Sequence, residues 1–140
     1  MSTQDIPLEA LMHATSHMAN VYIGDMSKDE MDRFGEAIRG PFKAKSDELA
    51  RFASNKPDGV DQKEWGLKAG LRSIELVLLA AAHVKGRDHL LANINPGMKS
   101  EPFKAAFRKH GATELADLLE DAPKADRRRR MAPKLETVGI

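Results

Sequence analysis

Glu9, His13 and His17 fall at successive four-residue steps in "EALMHATSH". On a helix this spacing lines one carboxylate and two imidazoles along one side, about 6 Å apart per step. Two imidazoles at i and i+4 can bind one divalent ion, and Glu9 would add a third ligand. A zinc hydrolase needs a glutamate directly after the first histidine as general base, and Ala14 stands there, so the spacing offers metal binding without hydrolytic chemistry. A fourth ligand would come from elsewhere, with His89 and His110 as candidates. The competing reading, a solvated polar helix face, is the expected one.

His83 is the other residue that suggests chemistry. It closes the apolar run "LVLLAAA" at 76–82 and is followed by Val84, Lys85 and Gly86. The stretch resembles the signature of histidine phosphotransfer domains, small all-α modules with a helical phospho-acceptor histidine near a lysine and a glycine. That resemblance covers about five residues and would imply that His83 accepts a phosphoryl group. In the family two residues separate His from Lys, whereas here only Val84 does, which turns Lys85 roughly 200 degrees away from His83 on a helix. The apolar neighbours point to a packed or capping ring with poor exposure.

The strongest charge signal is "KADRRRRMAPK". Four consecutive arginines cannot share one folded face without repulsion, so Lys124, Arg127, Arg128, Arg129, Arg130 and Lys134 are either solvated or bound to something acidic. Lys104, Arg108 and Lys109 would extend such a patch onto nucleic acid or an acidic protein. Residues 123–140 carry six Lys/Arg against two acids, +4, which leaves 16 against 19 in residues 1–122, or −3, although the whole chain is +1. "LETVGI" at 135–140 offers Leu135, Val138 and Ile140 as a short extended docking segment.

Other chemistry is excluded or unsupported. The chain has no cysteine, which rules out disulfides, thiolate zinc sites, iron–sulfur clusters and a cysteine nucleophile. There is no Gly-x-Ser-x-Gly elbow and no phosphate-binding glycine loop. An enzyme is not the expected class, and no cofactor is expected. The N-terminus lacks a basic flank with an apolar core, and no run reaches the roughly 18 apolar residues of a membrane span. The expected location is the cytoplasm, or an intracellular or viral assembly, without secretion by a recognisable signal.

The elements that must position these residues read as helices throughout. Leu8, Leu11, Met12, Thr15, Met18, Ala19 and Tyr22 share one helical face. Asp5 would cap that helix, with Pro7 early in it. "SKDE" at 27–30 is a capping box opening a second helix that ends at Gly40-Pro41, and a third follows to about Ser54. Asp61 and Glu64 open the most apolar element, Trp65 to Val84, which Gly86 closes. Being apolar on every side at 76–82, it belongs in the middle of a bundle. A short turn starts at Asp88, Ser100 caps a helix to Gly111, and Thr113 starts the last one. Gly66 and Gly70 suggest a close helix–helix contact.

"PFKA" at 41–44 and 102–105, each followed by "ELA", raises a duplication, but the spacings differ. Helices 100–110 and 113–121 raise a helix-turn-helix, but Glu114, Asp117, Glu120 and Asp121 would repel phosphates from the second.

The expectation is an all-α, compact bundle of five to seven helices around a central apolar helix at about 61–85, forming a domain over 1–122, with an extended basic C-terminal arm at 123–140. The leading function is a non-enzymatic structural or adaptor subunit of a virion, nucleoprotein or secretion-type assembly, with a protein partner or self-association. The alternative is nonspecific nucleic-acid binding through the arginines, and a phosphotransfer or metal-dependent activity stands third.

Overall fold

The computed structural model describes residues 6–120, so the arm at 123–140 and Asp5 lie outside the described residues. Within that span the chain is all-helical: α1 (Leu8–Gly24), α2 (Lys28–Arg39), α3 (Lys43–Ser54), α4 (Gln62–Lys85), α5 (Arg87–Asn93), a 3-10 turn (Pro96–Lys99), α6 (Glu101–Lys109) and α7 (Thr113–Leu119). No described helix is long and apolar enough to cross a membrane.

Helix α4 is the axis of the bundle. It packs against α1, α2, α3, α5 and α7, as its apolar circumference requires, and Leu71, Leu78, Ala80 and Ala81 are fully buried. Helix α1 packs on it and buries Leu11, Met18, Ala19 and Tyr22. Gly70 allows that approach, since a Cβ there would meet the Met12 methyl at 3.1 Å. Gly66, in contrast, faces open space. Leu90, Phe107, Leu115 and Leu119 complete the core from α5, α6 and α7.

Local signals set the starts of α2 and α4 and the end of α4. The Ser27 hydroxyl accepts from the Glu30 amide at 3.1 Å, and the Glu30 carboxylate accepts from the Ser27 amide at 2.9 Å. Asp61 accepts from the Glu64 amide at 3.0 Å. Gly86 closes α4 at φ +97°. Ser100 stands at the N-cap of α6 but makes no side-chain cap bond; Pro102 at the second helical position removes one of the two amides it could accept from.

The "PFKA" echo is not a structural repeat. At 41–44 it spans the turn into α3, whereas at 102–105 it lies inside α6, and the second "ELA" belongs to a different helix from its "PFKA".

Gly111 separates α6 from α7 at φ +91°, a left-handed value that side chains rarely adopt, and a Cβ there would lie 2.8 Å from Arg72 Nη2. Gly111→Ala is therefore expected to destabilise the fold by about 1–2 kcal/mol in urea unfolding. Gly66→Ala, inside α4 with free space around it, is expected to stabilise by up to about 1 kcal/mol.

Candidate functional site: an apolar groove and a buried charge cluster

An open groove of about 380 Å³ runs between α1 and the segment from the end of α5 through the 3-10 turn to α6. Its walls are apolar, with Met18, Val21, Ile94, Met98 and Phe103. Val21 is 61% exposed, although it lies on the helix that supplies much of the core. Polar groups stand along the groove: His17, Tyr22, Asn93 and Asn95. The Tyr22 hydroxyl lies 2.7 Å from His89 Nδ1, and burial, then the nearby Glu30 charge, raises its pKa, so it stays protonated. An apolar trough with a few polar groups at its edge suits an apolar side chain or segment.

The residues singled out in the sequence are brought together only in part. Glu9 Oε2 lies 4.0 Å from His13 Nε2, but Lys63 Nζ stands 3.6 Å from Glu9 Oε1, and an ammonium there opposes a second cation. His17 turns to the groove instead. Among the described residues no group of three or more His, Asp and Glu is placed to hold a metal ion. His89 is engaged with Tyr22, and His110 has its pKa lowered by burial, then by the Lys109 and Lys68 charges.

His83 is exposed, which corrects the poor exposure expected of a packed or capping ring. It sits in the last turn of α4, where the corner between α2 and α3 covers it from one side only. The Phe42 ring meets it edge-on at 5.7 Å, and Arg33 and Glu36 share the depression beside it. Lys85 is engaged with α2, its Nζ 3.0 Å from Glu30 Oε2.

Lys104 is 4% exposed, with Nζ 3.0 Å from Glu101 and 3.4 Å from Glu120. It is a buried strut and is not presented to a phosphate. Arg108 is exposed but paired with Asp117 at 2.8 Å, and Lys109 is exposed. Lys124, Arg127, Arg128, Arg129, Arg130 and Lys134 lie outside the described residues.

A second feature gave no motif. Glu75 is 2% exposed on α4, accepts from the Leu115 amide at 2.9 Å, and lies 3.1 Å from Lys45 Nζ. Lys45 also pairs with Glu114. Glu75 thus caps the first turn of α7 from another helix and ties α3, α4 and α7 together. Beside it the Arg72 guanidinium covers the Phe52 ring at 4.0 Å, and Phe52 stacks on Trp65 at 4.2 Å. Arg72 Nε is buried without a hydrogen-bond partner. The one signal in the sequence was an acid alone in the apolar stretch of 65–84.

Burial pulls the Lys45 pKa down, but the Glu114 and Glu75 carboxylates outweigh it and hold it above the ordinary lysine value. A raised folded pKa stabilises fully below the unfolded lysine pKa, and that stabilisation is lost as pH rises through the folded value. Thermal unfolding between neutral pH and pH 11 is expected to show an alkaline loss for the natural chain that Lys45→Met lacks.

No family model matches this chain, and neither the curated proteins nor the solved structures compared with it give a match.

Proposed function

We propose that this protein is a non-enzymatic structural or adaptor subunit of a larger assembly, of the virion, nucleoprotein or secretion type. The helical bundle offers its groove to a partner segment, and the basic arm contacts an acidic partner. The observation that supports this reading is the groove itself: about 380 Å³ of apolar trough opening beside the exposed Val21. An apolar trough with a few polar groups at its edge suits an apolar partner segment. The long central helix and the buried Glu75 anchor behind it make a rigid scaffold suited to presenting such a surface.

The second reading, nonspecific nucleic-acid binding, rests on the run Arg127–Arg130. The two differ in salt dependence. Four arginines neutralising phosphates would give a log–log salt slope of roughly −3.6 on duplex DNA. The test titrates mixed-sequence DNA and RNA with the full chain and with a variant carrying Gln at 127–130, at low and at physiological salt. The assembly reading expects weak binding that vanishes at physiological salt. Tight binding there, lost in the variant with that slope, would transfer the function to nucleic acid.

A further inference from the structure

We infer that the groove between α1 and α6 is the docking site for this chain's own segment 135–140, with Leu135, Val138 and Ile140 entering it in cis. The inference rests on reading the groove as an interaction surface and adds its occupant.

The chemistry of both sides agrees. Between 121 and 140 the large apolar residues are Met131, Leu135, Val138 and Ile140, three of them gathered in the last six positions. Val138 and Ile140 have the two-residue spacing that puts side chains on one face of an extended segment. The groove supplies Met18, Met98 and Phe103 as apolar walls. Thioether side chains adapt to such guests. Asn93 donates one amide hydrogen bond to the His89 carbonyl, and Asn95 accepts one from the Gly97 amide; each has its other amide end outside these bonds, and an extended backbone carries both donors and acceptors to match. Two other depressions among the described residues fit less well: the one beside His83 contains Arg33 and Glu36, and the one beside α3 contains Lys45, Glu48 and Arg51.

Length and starting point agree as well. The described chain ends at Glu120, which is held to Lys104 at 3.4 Å, and Lys104 is the neighbour of the groove residue Phe103 on α6. Fourteen residues separate Glu120 from Leu135, a reach of up to about 50 Å. Their relaxed span is about 20 Å, comparable with a bundle whose radius of gyration is about 13 Å. A linker whose relaxed length matches the distance gives a local concentration in the millimolar range, so even a weak apolar contact closes within one chain before it forms between two. A partner segment reaching the groove must then displace the protein's own arm.

The absence of natural cysteine makes the test clean. Full-length Val21→Cys/Val138→Cys and a control, Ala50→Cys/Val138→Cys, are oxidised under identical dilute conditions. Val21 and Ala50 are both exposed, and α3, which bears Ala50, packs on α2 and α4 away from the groove. The expected result is an intrachain disulfide that forms at least about tenfold faster in the Val21 pair. Equal rates would overturn the inference. Disulfides formed only between chains, found by mixing the two single-cysteine chains, would also overturn it while leaving the assembly reading intact.

Discussion

Phe107→Ala lowers the stability of the fold by about 4 kcal/mol, the cost of a cavity where a fully buried aromatic ring stood. Phe107 is 0% exposed in the core, its ring 6.2 Å from Phe103 and tilted against it. The Phe103 ring is also a wall of the groove. The loss is read as a lower urea midpoint with an unchanged slope. Phe103→Ala, half-buried in the groove wall, costs much less in the same measurement. A cost below about 1 kcal/mol for Phe107→Ala would mean that α6 does not pack as described.

Glu75→Ala is the second large effect, about 3 kcal/mol, or roughly 10 °C in Tm for a domain of this size. The substitution strands the buried Leu115 amide and takes one of two carboxylates from Lys45. Glu75→Gln recovers part of the loss, since its carbonyl can still accept from Leu115 while the charge is gone. Trp65, the single tryptophan, reports the event by fluorescence, because its partner Phe52 lies on the helix that Lys45 anchors. If Glu75→Ala unfolded at the natural temperature, the α3–α4–α7 anchor would carry no stability.

The fold was legible where local rules act alone. Ser27 with Glu30 set the start of α2, Asp61 that of α4, and the unbroken apolar run 76–82 announced the central helix. These signals lie within one turn of sequence and need no partner. Ser100 took the N-cap position of α6 without a side-chain bond, and Pro102 leaves it only the Phe103 amide to accept from. His83 was misread because apolar neighbours in sequence do not bury a residue at the end of a helix, where the covering elements, the α2–α3 corner among them, come from elsewhere. Lys104 looked like surface charge for the converse reason: Glu120, sixteen residues on, folds back to it. Glu75, Lys45 and Leu115 are spread over 71 positions, so their junction has no periodicity to find. The groove was equally hidden. Val21 sits one position outside the core face of α1, and only the packing of the 3-10 turn and α6 makes a trough beside it.

The most direct test of the assembly reading is solution mass by light scattering after size exclusion, over a wide range of concentration, for the full chain and for Val21→Glu, with and without mixed-sequence nucleic acid at physiological salt. The reading predicts a single-chain mass when dilute, mass above one chain at high concentration as groove contacts exchange between chains, a shift back toward one chain in Val21→Glu, and no change on adding nucleic acid. A single-chain mass at every concentration, with a stable nucleic-acid complex unaffected by Val21→Glu, would contradict it.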